Sequence, residues 1–190
     1  MTRPRSRTVE ELLAALDAGE PARYLFFWGH RPSKAGCVTR TCLSQWYDAP
    51  FRVDGVDYRS AEHYMMAAKA ALFEDLCMRE AVLAAATPAQ AKALGRQVAG
   101  FAEEVWARHR VRLVVEANTA KFGQDDRLRD FLLQTGDQVL VEASPVDAVW
   151  GIRLAADDPD ALHPARWRGR NLLGFALMEV RDQLSRHRRP

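Results

Sequence analysis

The run Ser60-Ala61-Glu62-His63-Tyr64-Met65-Met66-Ala67-Ala68-Lys69-Ala70-Ala71-Leu72-Phe73 constrains this chain more than any other stretch. Ser60 is a good N-cap, so the run reads as a helix. Glu62 and Lys69 are seven residues apart in it, close to two turns. Both side chains therefore lie on one stripe, roughly 10 Å apart along the axis. Met66 and Phe73 fall on the same stripe. An acid and an amine inside an apolar stripe are not freely solvated. Desolvation raises a carboxyl pKa and lowers an amine pKa, so one helix offers a proton donor and a nucleophile. The same residues also have a structural reading. A Glu in the first turn is favoured by the helix dipole, and a lysine stem can lie along apolar surface with its amine in water. Only four of the 27 basic residues are lysines (Lys34, Lys69, Lys92, Lys121), which makes the position of Lys69 among apolar residues less incidental.

Upstream, Phe51-Arg52-Val53 and Val56-Asp57-Tyr58 flank Asp54-Gly55, a strong hairpin signal that feeds directly into the Ser60 helix. Thr8-Val9-Glu10-Glu11 reads as a capping box that opens a short helix to about Ala18, ended by Gly19 and Pro21. Tyr24 to Trp28 is an aromatic, strand-like run, and Gly29 to Thr41 reads as a loop. Thr87-Pro88-Ala89-Gln90 starts another helix, with Pro at its first position. A long helix is expected from Phe101 to about Lys121, and Asp125 caps one that ends near Gly136. Gln138 to Ala143 alternates like a strand, Asp157 to Gly169 is a loop, and Leu172 to about Arg186 is the last helix. Strands are few, short and mostly early, and no repeating strand–helix order suggests a doubly wound sheet. The expected class is α+β, a mainly helical single domain with a few short strands including an early β-hairpin. Residues 1–22 read as an N-terminal extension with a short helix, 23–186 as the domain and 187–190 as a basic tail.

A chain of 190 residues suffices for one domain with a substantial core. Its 48% apolar and 27% charged residues are ordinary for a soluble globular protein. A net charge of +2 supports no general polyanion-binding role. The three cysteines, Cys37, Cys42 and Cys77, are odd in number and form no CxxC pair, which argues against a disulfide framework and a structural zinc site. No apolar run approaches a membrane span, and the Arg-rich N-terminus lacks an apolar segment behind it, so the expected location is cytoplasmic.

Two further motifs carry candidate chemistry. Asp147-Ala148-Val149-Trp150-Gly151 follows Ser144-Pro145, turn chemistry near a strand end. Asp147 and Trp150 there suit a planar ring held by hydrogen bonding and stacking, or equally an Asp capping a turn over a core Trp. Gly169-Arg170-Asn171-Leu172-Leu173-Gly174 opens the last helix. Free amides at a helix start can receive a phosphate, with Arg168 or Arg170 adding charge, although a plain glycine turn is the commoner origin of such a pattern. Most of the five indoles (Trp28, Trp46, Trp106, Trp150, Trp167) are expected in the core, with Trp46, beside Leu43-Ser44-Gln45, suited to a pocket wall. No His, Asp or Glu cluster has metal-ligand spacing, and neither G-x-S-x-G nor a Walker motif occurs. Lys69 or a cysteine remains as nucleophile, and no neighbouring feature activates a cysteine.

Taken together, nine pieces in order resemble the NADAR family. They are Leu43 through Trp46, Phe51 through Tyr58, Ala61 through Tyr64, Lys69-Ala70, Leu94 through Arg96, Lys121-Phe122, Leu133 through Gly136, Asp147 through Gly151 and Gly169 through Gly174. These YbiA-like proteins include the N-glycosidases of riboflavin-biosynthesis intermediates. The resemblance spans about Tyr24 to Leu184. It implies hydrolysis of an N-glycosidic bond. One branch of the family acts on ribosylamino-pyrimidine phosphates and another on ADP-ribosylated guanine. It implies Glu62 and Lys69 in the active site, Trp106, Asp147 and Trp150 lining the pocket, and Asn171 and Gly174 near it. Trp46 and Gly151 complete the expected substrate-binding set. No cofactor and no metal are expected. Two positions depart from the family pattern: Gln45 stands where Asn is common, and Arg153 where Gly is common. Both bear on the pocket wall and on substrate identity.

The residue chemistry suits that reaction. An N-glycoside breaks through a cation-like transition state, with negative charge growing on the departing base. Glu62, kept protonated, would protonate the leaving nitrogen, and neutral Lys69 would attack the anomeric carbon. Ring opening would give a Schiff base that water hydrolyses. Asp147 would steady the ribose hydroxyls or the developing cation. The expected partner is a small phosphorylated N-riboside, with ADP-ribosylated guanine as the alternative; a non-catalytic ADP-ribose or NAD-binding module is the reading from another class. No membrane partner is expected, and the oligomeric state is open.

Overall fold

A computed structural model of the chain describes residues 6–33 and 36–187. Its elements run α1 (Val9–Asp17), β1 (Tyr24–Phe27), β2 (Phe51–Val53), β3 (Val56–Tyr58), α2 (Ala61–Leu72), α3 (Leu76–Ala84), α4 (Pro88–Gly95), α5 (Glu103–Gln124), α6 (Asp126–Gln134), β4 (Val139–Glu142) and α7 (Leu172–His187). The α+β class with dominant helices is as expected. The start of the extension, at 1–5, and the basic tail beyond His187 lie outside the described residues.

The helix starts are set by single side chains. Thr8, Ser60 and Thr87 each accept a hydrogen bond from the amide three residues on, at 3.1, 3.5 and 3.2 Å. Asp75 and Asp125 do the same for α3 and α6. Asp54 and Gly55 have φ of 48° and 78°, the paired left-handed residues of a tight hairpin turn, and they set Phe51 opposite Tyr58. α3 is the element that sequence reading missed. Only Val82 on it is buried, so no apolar stripe marks it.

The four strands among the described residues form two separate pairs. β2 and β3 are the hairpin. β1 and β4 pair in parallel from Tyr24 opposite Val139 to Phe27 opposite Glu142, although most of the helices intervene in the chain. Parallel strands need such a long connection.

α2 lies between α3, α4 and α5, while α7 packs on α5 and β4. Nine of the twelve residues of α2 are buried, so it is enclosed nearly all round rather than along one stripe. The N-terminal segment is fastened to the rest of the fold: Leu12 of α1 joins the core, and Arg7 pairs with Glu179 and Asp182 of α7. No described helix is long and apolar enough to cross a membrane.

Candidate active site

Burial of α2 brings the sequence candidates together. Glu62, Lys69, Trp46, Trp106, Asp147 and Trp150 all line one cleft of about 160 Å³. The space is below the ~300–1,000 Å³ of typical drug-sized sites, so its occupant is a small molecule. It also explains the indoles. Most were expected in the core, yet among the five only Trp106 is buried, and Trp28 is 59% exposed. Trp46 and Trp150 are half-buried because they form the cleft wall.

Glu62 is 2% exposed. Its amide donates to the Gln45 carbonyl at 3.0 Å, fixing the first turn of α2. Its Oε1 is buried without a hydrogen-bond partner. Burial pushes its pKa from 4.5 up to about 7, against the pull of Lys92, the Trp46 indole and Arg96 and with a push from Asp147. A carboxyl so placed can hold a proton near neutral pH and give it up in the cleft.

Lys69 is 9% exposed. Its Nζ donates to the Gly95 carbonyl at 2.7 Å and sits 3.9 Å from the centre of the Phe101 ring. Burial lowers its pKa, and Glu103 raises it. The Phe101 face also favours the cation. The solvated-face reading of α2 therefore fails at both residues. A second buried lysine, Lys121, is pushed down to about 8, mainly by burial. Its Nζ donates to the carbonyls of Cys42 and Ser44 at 2.7 and 2.8 Å, and it does not line the cleft. Lys121 braces the loop that carries Gln45 and Trp46. Position rather than pKa singles out Lys69.

Asp147 caps its turn and borders the cleft. Its Oδ1 accepts from the amides of Val149 and Trp150, each at 2.8 Å. Gly151, Asn171 and Gly174 do not line the cleft. Asn171 is fully buried, its Oδ1 accepting from the Glu142 amide at 3.0 Å and its Nδ2 donating to the Leu140 carbonyl at 2.9 Å. The expected phosphate cradle at the start of α7 is not formed. The amides of Arg170, Asn171, Leu172 and Leu173 already donate to the carbonyls of Ala148, Gly151, Val149 and Trp150. Arg168 and Arg170 border a different groove, against α1. The glycine-rich turn serves close packing, the commoner origin of such a pattern.

The two departures from the family pattern separate. Gln45 lines the cleft; its Oε1 accepts from Asn118 at 2.7 Å, and its Nε2 is buried without a partner. Arg153 is exposed, with φ of 55°, and is not part of the cleft wall.

Sequence reading missed Glu142, which also lines the cleft. Burial, Asp147 and Glu62 together push its pKa up to about 8 against Lys92, burial contributing most. The available signal was a lone carboxylate ending the apolar strand Val139-Leu140-Val141. Lys92 and Arg96, from α4 and its C-cap, add two cations to the cleft wall.

Residues 26–185 match the model of the NADAR domain. The chain is 38% identical over 169 residues to a protein named N-glycosidase from Acanthamoeba polyphaga mimivirus, covering 86% of this chain and 98% of that one. It is 37% identical over 145 residues to a protein named riboflavin biosynthesis protein from Vibrio vulnificus, covering 76% of this chain and 36% of that one. Its fold is similar to the NMR structure of the Escherichia coli protein YbiA, with a TM-score of 0.68, 29% identity and 86% of each chain covered.

Proposed function

Since the chain belongs to the NADAR domain family, we propose that it is an N-glycosidase acting on a phosphorylated ribosylamino-pyrimidine or a similar small N-riboside. One observation carries this reading. A buried carboxyl with a free oxygen, Glu62, and a buried amine, Lys69, open on one small cleft. Relatives named N-glycosidase and riboflavin biosynthesis protein support the reaction type and the substrate class.

The aromatic faces of Trp46 and Trp150 hold the planar base. Glu62 protonates the leaving nitrogen as the bond to the anomeric carbon breaks. Lys69 in its neutral form attacks that carbon, and ring opening gives a protonated imine. Phe101, already over Nζ, also favours that cation. The second oxygen of Asp147 binds the ribose hydroxyls, and Lys92 and Arg96 take the phosphate. Water hydrolyses the imine and frees Lys69.

The test is a side-by-side incubation with a 5-phosphoribosylamino-pyrimidine and with ADP-ribosylated guanosine, products read by mass. Base release is expected chiefly from the pyrimidine and absent in folded Lys69→Met. Release from guanosine alone moves the substrate assignment to the second class. Ligand binding with no base release, unchanged in Lys69→Met, contradicts catalysis and leaves a binding module.

A further inference from the structure

We propose that Glu142 is the second catalytic carboxyl of this cleft, the base that takes a proton from the water hydrolysing the Lys69–sugar imine and then passes it to Glu62. The inference rests on the covalent reading given above.

Glu142 lines the cleft, and its Oε2 is buried with no hydrogen-bond partner. A buried carboxyl oxygen left without a donor is costly, and such groups occur where they have work to do. The backbone around it is held unusually firmly. The Glu142 amide donates to Asn171 Oδ1 at 3.0 Å, and its carbonyl accepts from the Ile152 amide at 2.9 Å. Gly151 lies so close that a Cβ there would be 2.8 Å from the Glu142 carbonyl oxygen. A Cβ at Gly174 would stand 2.6 Å from both ends of the Asn171 side chain and closer still to the Leu140 carbonyl. Gly151, Asn171 and Gly174 thus all close on the end of β4. They act as a mount for Glu142 rather than as contacts to substrate.

The step balances. Water oxygen bonds to the imine carbon as the C=N π pair moves to nitrogen, and one water proton goes to the Glu142 carboxylate. Glu142 returns that proton to the nitrogen of the carbinolamine. The C–N bond then breaks with its pair on nitrogen, the C=O bond forms, and the hydroxyl proton goes back to Glu142. The sugar leaves as the aldehyde, Lys69 is neutral and Glu142 is protonated. Glu62 gave one proton to the departing base, so transfer of the Glu142 proton to Glu62 restores the starting state. The two carboxyls line one cleft and the charge of Glu62 raises the Glu142 pKa, so the cleft favours one proton shared between them over two carboxylates.

The experiment follows both halves of the reaction in single turnover with a 5-phosphoribosylamino-pyrimidine. In Glu142→Gln, base release should stay within about twofold of the wild type. Sugar release should slow by roughly 10²–10⁴-fold, the range of a lost general base. Borohydride should then trap a larger share of Lys69 as the sugar adduct. In Glu142→Ala, added formate should restore sugar release. Equal slowing of both halves with no extra trapped imine, or no formate rescue in a folded protein, overturns the proposal. Absence of any Lys69 adduct in the wild type overturns the covalent reading itself, a distinct result.

Discussion

Replacing Glu62 by Gln separates what its burial does for stability from what it does for catalysis. Burial dominates the shift of the Glu62 pKa from 4.5 to about 7. The folded chain therefore holds this proton more tightly than the unfolded chain does. Stability from the group is fully present below about pH 4.5 and is lost as pH rises to about 7. At about 1.4 kcal/mol for each tenfold step, the loss comes to about 3 kcal/mol. Gln has no proton to lose, so Glu62→Gln lacks this component. Glu142 titrates in both proteins and largely cancels in the comparison. For a chain of this size each kcal/mol moves the melting temperature by about 2–4 °C. Between pH 4.5 and pH 8, the wild type should fall relative to the variant by roughly 6–12 °C. Circular dichroism melts at the two pH values measure this directly. Turnover of the same variant should drop by roughly 10²–10⁴-fold, because the leaving base loses its acid. Melting curves that move in parallel with pH would refute the claim that burial keeps Glu62 protonated.

Trp46→Phe removes an indole donor that holds the Glu62 pKa down. The alkaline limb of the kcat–pH profile, where Glu62 loses its proton, should therefore move to higher pH; a shift to lower pH contradicts the assignment. Gly174→Ala forces a methyl against the Leu140 carbonyl and the Asn171 side chain. It should cost about 3 kcal/mol or more in chemical denaturation, by overpacking between α7 and β4. Lys121→Met leaves the carbonyls of Cys42 and Ser44 without their donor. It should destabilise the chain by about 2–5 kcal/mol. Turnover per folded molecule should hold, since this lysine braces the Trp46 loop and is no nucleophile.

What was legible in the sequence was local. Thr8, Ser60, Thr87 and Asp125 announce their helices because a cap is a contact between a side chain and an amide two or three residues away. Asp54-Gly55 announces the hairpin for the same reason. Glu62 and Lys69 were legible because helical spacing places them. α3 was not, because helix and neighbours bury only Val82 and the sequence carries no stripe. The parallel pairing of β1 with β4 joins distant segments, so no local signal marks it. Glu142 was hidden for that reason: its burial comes from β1 on one side and the Gly151 and Asn171 contacts on the other. The Gly169–Gly174 turn was misleading in a physical way. Glycines that admit a phosphate and glycines that admit a neighbouring backbone look alike in sequence, and here the neighbour is the 147–151 turn and β4.

The central claim is that Lys69 bonds to the sugar, and borohydride reduction during turnover tests it most directly. With a 5-phosphoribosylamino-pyrimidine as substrate, the peptide carrying Lys69 should gain the mass of the reduced sugar phosphate. Peptides carrying Lys92 and Lys121 should gain nothing, and Lys69→Arg should give neither adduct nor turnover. Continued base release under borohydride with every lysine unmodified, or full activity in Lys69→Arg, would contradict the account.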